Sequence, residues 1–276
     1  MKESKIVVSM TTWPPRAQSA VIAMRHLVEQ KHSIPIRFVL ALSLDEWNYD
    51  GLRTSLPSPK DLLRQMEVLG VEVLWDNGNT YSHKKLMPAL EKYQNSAIIV
   101  VDDDVRQQDG WLQTFIDDHT AHPTDIIYGS SSSRVDIINN RIVEGMAQRN
   151  IYINPGKVTY NIKPANGASG TLYPAHTFAD SRFFDRSLYM FICPTSDETW
   201  QWAWSVIEGR QHRCLSDHNH PSLIESNQEC ALWHTNRDLY TIYHNDIAWA
   251  FPAYKEQLQL LINKYNENYE QDRNHN

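Results

Sequence analysis

Five consecutive apolar residues, Ala97-Ile-Ile-Val-Val101, run without a break into three aspartates, Asp102-Asp103-Asp104. A run of that length without polar alternation reads as a strand buried on both faces, the habit of parallel sheets covered by helices. The aspartates then stand at its carboxyl end, where an open parallel sheet has its ligand crevice. Three adjacent carboxylates repel one another, so a fold holds them together only where a cation or hydrogen-bond donors compensate. Hard oxygen ligands of this kind suit Mg²⁺ or Mn²⁺, commonly shared with substrate phosphates. A solvated acidic turn capping a helix near Asp109 or Gly110 accounts for the same residues. At this level both readings stand.

The residues before the aspartates repeat the same grammar. Ile6–Met10, Ile36–Leu42 and Val71–Trp75 are apolar runs read as strands. Between them, Arg16–Gln30 carries helical spacing through Ala20, Ala23, Met24, Leu27 and Val28. Pro59 suits the start of a helix through Leu62, Leu63 and Met66, and Lys84–Tyr93 reads as another. This alternation predicts an α/β fold, doubly wound, with a mainly parallel central sheet and helices on both faces. Beyond Asp104 the pattern is less regular. Helical spacing returns at Trp111–His119, Glu198–Glu208 and Ala253–Tyr265, with short strand candidates between Ile126 and Ala179. With no repeat, linker or break in composition, residues 1–276 are expected to form one domain. Its half 1–105 would bind a nucleotide, and its half 106–276 would shape an acceptor site.

Composition narrows the ligand class. A formal net charge of -7 argues against a nucleic-acid binder, which concentrates basic residues on one face. It leaves room for a small anion held through a metal. No stretch approaches the roughly 20 apolar residues that cross a bilayer, and no signal peptide is expected at the N-terminus. Cys193, Cys214 and Cys230 lack C-x-x-C spacing and read as reduced thiols of a cytoplasmic protein. Nine tryptophans and 13 tyrosines suit stacking on sugar faces, although large aromatics also dominate ordinary cores.

The strand with its aspartates resembles the D-x-D motif of GT-A glycosyltransferases. Three further segments are similar to bacterial surface-polysaccharide glycosyltransferases of the capsule, O-antigen or lipooligosaccharide type. These are Val7-Val-Ser-Met-Thr11-Thr12-Trp-Pro-Pro-Arg16, Tyr81-Ser-His-Lys84-Lys85-Leu-Met-Pro88-Ala-Leu, and Gly170-Thr-Leu-Tyr173-Pro174. The resemblance implies a GT-A-like fold and a divalent metal, Mn²⁺ or Mg²⁺, on Asp104 and Asp102. Asp102 would also face the ribose or base side, with Asp103 between these roles. It implies that Thr11, Thr12 and Arg16 border the nucleotide, and that Lys84 or Lys85 approaches a phosphate or the base. A helix-surface lysine pair is the plainer reading of those two.

Pro194-Thr-Ser-Asp197-Glu198-Thr-Trp200 resembles the acidic pair at a helix start in inverting members, one carboxylate of which serves as general base. Counting back from Gly209 favours Glu198. Capping-box spacing from Thr195 to Glu198 favours Asp197, since Glu198 would then fold back on the backbone. Both residues are kept, with a slight preference for Asp197. His234 and His244 are candidates for a further metal ligand, beside the denser cluster Asp217-His218-Asn219-His220, and Asn245-Asp246 resembles an Asn-Asp segment of that group.

The expectation is therefore transfer of a sugar from a nucleotide-sugar donor, by default a UDP-sugar, to a glycan or lipid-linked glycan acceptor. Peripheral membrane association would be compatible with such an acceptor, and oligomeric state is left open. A sugar nucleotidyltransferase is the enzymatic alternative, but Ser9–Arg16 lacks the glycine-rich phosphate loop it would need. A carbohydrate-binding protein without catalysis would suit a β-rich chain better than this one.

Overall fold

The computed structural model describes residues 5–129, 132–145, 158–159, 162–164, 167–215, 221–224, 232–236 and 238–274. In chain order the first half runs β1 (Ile6–Thr11), α1 (Ala17–Glu29), β2 (Ile36–Ser43), α2 (Lys60–Val68), β3 (Glu72–Asp76), α3 (Met87–Lys92) and β4 (Ala97–Val101). The second half runs β5 (Val105–Arg106), α4 (Trp111–Ala121), β6 (Ile126–Tyr128), β7 (Ser132–Ile138), β8 (Arg141–Gly145), β9 (Val158–Thr159), β10 (Ile162–Pro164) and β11 (Thr171–Tyr173). It ends with α5 (Arg186–Ile192), α6 (Asp197–Ile207), β12 (His212–Cys214), β13 (Ser222–Leu223), α7 (Trp233–Asn236), α8 (Tyr240–Ala250) and α9 (Pro252–Asn274).

Among the described residues the main sheet has the order β3-β2-β1-β4-β11-β6-β12-β9. β3, β2, β1 and β4 are mutually parallel, and β11 runs antiparallel between β4 and β6. The apolar runs explain the two covered faces. Ile6, Val8 and Met10 of β1 and Ala97, Ile99 and Val101 of β4 join one core with α1, α2 and α4. The intervening Val7, Ile98 and Val100 join the other, with α3, α5, α6, α8 and α9. Alternate side chains of one strand thus feed opposite layers. This is the doubly wound, GT-A-like arrangement expected.

The chain moves outward from β1 to β2 and β3, then returns to the far side of β1 to form β4. The order reverses between β1 and β4, so a crevice opens where their carboxyl ends part. Thr11 ends one strand and Val101 the other.

Two local expectations need correction. Lys84–Tyr93 is not one helix: a 3₁₀ turn spans Tyr81–Lys85 and α3 starts at Met87. Pro88 has no N–H for the carbonyl of Lys84, so it fits the first turn of a new helix and not the middle of an old one. The Thr195–Glu198 capping box is also not the arrangement at the start of α6. Ser196 is the N-cap, without a side-chain cap bond, and the Thr195 hydroxyl bonds Asn236 and Tyr243 at 2.6 and 2.8 Å. Most aromatic mass is core: Trp47, Trp111, Trp200, Trp202 and Trp204 are all buried. No helix among the described residues is long and apolar enough to cross a membrane.

Candidate active site

The crevice between β1 and β4 collects the chemistry. Asp102, Asp103 and Asp104 follow β4 directly, and a second 3₁₀ turn, Pro14–Arg16, follows β1. Strand neighbours bring their trailing residues together. The Thr12 hydroxyl donates to Asp103 Oδ2 at 2.6 Å, and Arg16 Nη1 donates to Asp103 Oδ1 at 3.0 Å. Arg16 Nη2 lies 3.1 Å from Asp104 Oδ2. Burial opposes the Arg16 charge, yet Asp103 and Asp104 hold its pKa above the ordinary value. Burial pushes the Asp103 carboxyl up to about 6 in spite of Arg16 and Thr12.

Asp102 takes a different cation. Lys85 Nζ donates to Asp102 Oδ1 at 3.0 Å and lies 3.2 Å from Asp197 Oδ2 and 3.8 Å from Glu198 Oε1. One ammonium therefore joins the end of β4 to the start of α6. Lys85 is buried, which opposes its charge, and the three carboxylates overcome that and keep it firmly protonated. The 3₁₀ turn is what aims it. Of the two readings of the Lys84–Lys85 pair, a phosphate or base contact and a helix-surface pair, the second does not hold: the turn carries both inward.

Lys84 goes elsewhere: its ammonium pairs with Glu46, and with Asn79 Oδ1 at 2.8 Å. Its partners follow β2 and β3, so it braces the neighbouring strand ends.

Asp197 and Glu198 differ in their surroundings. Asp197 is buried, and its Oδ2 accepts from Gln201 Nε2 at 3.1 Å. Gln201 in turn accepts from the Tyr173 hydroxyl at 2.6 Å. Although burial favours the neutral acid, Lys85 foremost holds Asp197 below its ordinary pKa. Glu198 keeps 18% of its side chain exposed and stands farther from the ammonium. Tyr173 belongs to the Gly170–Pro174 segment singled out in the sequence. Gln201 was missed, although it lies four residues after Asp197, the spacing at which helical side chains meet.

Other expected residues are placed as follows. The Thr11 hydroxyl donates to the Ala41 carbonyl at 2.8 Å, tying β1 to β2. His234 is exposed on α7. His244 cannot serve as a metal ligand here: it is buried, with Nδ1 2.7 Å from the Tyr254 hydroxyl and Nε2 3.2 Å from Glu144. Both ring nitrogens are engaged inside the helical layer. Asn245 clamps β8, bonding both the N–H and the carbonyl of Ile142. Cys230 and the cluster Asp217-His218-Asn219-His220 lie outside the described residues.

The donor set bears on a divalent cation. Both Asp103 oxygens are engaged by Thr12 and Arg16, whereas Asp102 meets Lys85 through Oδ1 and Asp104 meets Arg16 through Oδ2, so Mg²⁺ or Mn²⁺ would share Asp102 and Asp104 with these cations. Among the described residues no three His, Cys, Asp or Glu side chains form a site on their own. Two carboxylates completed by substrate phosphates is a normal arrangement for Mg²⁺.

No family model matches the sequence, and no curated protein matches it. Solved structures do. The chain superposes on S. aureus TarS 1-349 with a TM-score of 0.53 at 14% identity, covering 88% of this chain and 65% of that one. The complex of TarS 1-349 with UDP-GlcNAc gives 0.53 at 13% identity, over 88% of this chain and 66% of the other. The complex with UDP gives 0.54 at 14% identity, over 88% and 65%. The chain thus spans slightly less than two thirds of these proteins' length. It shares their fold.

Proposed function

We propose that this chain is a nucleotide-sugar-dependent glycosyltransferase, moving a sugar from a UDP-sugar to a glycan acceptor with inversion. The observation that carries the reading is the single cluster in which Lys85 joins Asp102 to Asp197 and Glu198 at the switch crevice. Support comes from a fold that, in TarS, has been solved with UDP-GlcNAc and with UDP. The half 1–105 holds the nucleotide, and the half 106–276 shapes the acceptor side.

Asp102 and Asp104 would hold a divalent cation together with the donor's phosphates. When bound, the cation supplies positive charge to the departing diphosphate. Arg16, fixed by Asp103 and Asp104, lines the same side. Glu198 is the general base: it is the partly exposed member of its pair, open to an acceptor hydroxyl. It takes that hydroxyl's proton while the acceptor oxygen bonds the anomeric carbon and the bond to the diphosphate breaks. Asp197, enclosed by Lys85 and Gln201, holds the arrangement in place. A lipid-linked acceptor of a bacterial surface polysaccharide would bring such an enzyme to a membrane face from the cytoplasm.

Isothermal titration with UDP, with and without Mn²⁺, tests the donor side. UDP binding that strengthens with Mn²⁺ is expected, and Asp104→Asn should keep the fold and lose the Mn²⁺ effect. Wild-type protein indifferent to UDP and Mn²⁺ alike would overturn the proposal.

A further inference from the structure

We infer that Lys85 is a positioning residue: its buried ammonium ties the donor-side carboxylate Asp102 to the acceptor-side pair Asp197 and Glu198, so that the acceptor-side carboxylates are held in register with the donor side. The inference rests on the glycosyltransferase reading and deepens it. It also replaces the phosphate contact expected of Lys85 with a different task.

The geometry argues for this division. Lys85 Nζ has three donors and meets three carboxylates, at 3.0, 3.2 and 3.8 Å. Lys85 donates to Asp102 and stands in ion-pair range of Asp197 and Glu198, so its charge is already directed at protein carboxylates before any ligand arrives. Asp102 stands at the end of β4, and Asp197 and Glu198 open α6. Among the described residues these elements share no backbone ladder, since β4 pairs with β1 and β11. Ionic contact through Lys85 is therefore a direct tie between donor and acceptor layers at this point. The far end of the tie is braced in turn. Tyr173 on β11 donates to Gln201, and Gln201 donates to Asp197.

A residue of this kind does not touch the sugar or the phosphates. It acts through Glu198, by keeping that carboxylate near the donor. Removing it loosens the base while leaving nucleotide contacts in place. A phosphate ligand behaves in the opposite way, because its loss weakens nucleotide binding first.

The experiment pairs UDP calorimetry in Mn²⁺ with steady-state release of UDP from a panel of UDP-sugars, acceptor omitted or supplied as simple glycosides. For Lys85→Met, kcat should fall about 10²-fold or more while UDP affinity stays within about 3-fold of wild type, with Lys85→Arg recovering part of the rate. Parallel loss of UDP affinity and turnover would make Lys85 a phosphate ligand and overturn the inference. Unchanged turnover would overturn it too. If Lys85→Met does not fold, Tyr173→Phe answers the same question, since it deletes one hydroxyl from the brace without touching Lys85. It should lower kcat about 10-fold at constant UDP affinity, the pattern of an interaction that matters to the transition state alone. Wild-type kinetics in Tyr173→Phe would count against the tie. A wild-type protein that neither binds UDP nor releases it would sink the glycosyltransferase reading itself, whereas active wild type with indifferent variants would sink only the role of Lys85.

Discussion

Asp197 and Glu198 are adjacent in the chain, and their difference is made entirely by what surrounds them. Asp197 accepts from a lysine and a glutamine in the interior, whereas Glu198 is partly open and 3.8 Å from the lysine. A base must be reached by its substrate, and a buried carboxylate already paired with an ammonium is a poor proton acceptor. Glu198→Gln should therefore cut kcat by about 10²–10⁴ with melting temperature and UDP affinity close to wild type. Asp197→Asn should instead cost stability, by about 3 kcal/mol, because it leaves a buried ammonium short of a partner. Kinetics and urea unfolding of the two variants read both effects, and the reverse pattern would exchange their roles. The sequence narrowed the proposed base to this pair and leaned slightly to Asp197, the member the structure encloses. Local spacing suggested that Thr195 would recruit Glu198, while the Thr195 hydroxyl is taken by Asn236 and Tyr243 some forty residues downstream. Long-range partners of that kind leave no local trace.

At the scale of elements, what was legible followed from uninterrupted patterns. The run Ala97–Val101 is β4 without adjustment, and β1 and β2 extend their expected runs by one residue each. Apolar residues that must enter two cores at once have little freedom in register. The turn before α3 was less legible, because Lys84–Tyr93 has helical spacing and only Pro88 argues against continuity. That one residue decides where both lysines point, and so decides the electrostatics of the crevice. Gly170 plays a comparable part at β11. It adopts φ +82°, and an added Cβ would sit 2.5 Å from the Trp111 ring and 3.3 Å from the Val100 carbonyl. Trp111 cannot yield easily, since it is buried and its Nε1 donates to the Ser169 carbonyl at 2.9 Å. Gly170→Ala combines left-handed strain with overpacking, and about 2–4 kcal/mol of stability should be lost in denaturant unfolding. A variant as stable as wild type would show that β11 shifts freely, contrary to its pairing with both β4 and β6.

The whole molecule depends on joining the sheet to the helical layer that carries α6, and a buried histidine marks that join. His212 on β12 stacks on Tyr128 of β6 at 5.7 Å, packs near Trp202 of α6 at 6.4 Å, and lies 2.7 Å from the Ser205 hydroxyl through Nε2. Burial lowers its pKa to about 3, against an unfolded value of about 6.5. Between those limits the unfolded chain binds a proton that the folded chain refuses, so folding stability falls as pH drops below about 6.5. Each pH unit in that window costs about 1.4 kcal/mol, which amounts to about 2 kcal/mol by pH 5. Replacing the imidazole by an amide, His212→Gln, removes this titration while leaving a polar group for Ser205. The variant should start less stable at pH 7, from imperfect packing against Tyr128, and then lose less on acidification. Measured by urea unfolding, the gap between wild type and variant should narrow by about 2 kcal/mol from pH 7 to pH 5. Subtracting the two profiles cancels the other groups that titrate in that range, including buried His83, whose pKa is also lowered by burial. A gap that stays constant with pH would mean that His212 takes up its proton in the folded state. The join between the sheet and α6 would then be open to water, which its burial among Tyr128, Trp202 and Ser205 does not allow.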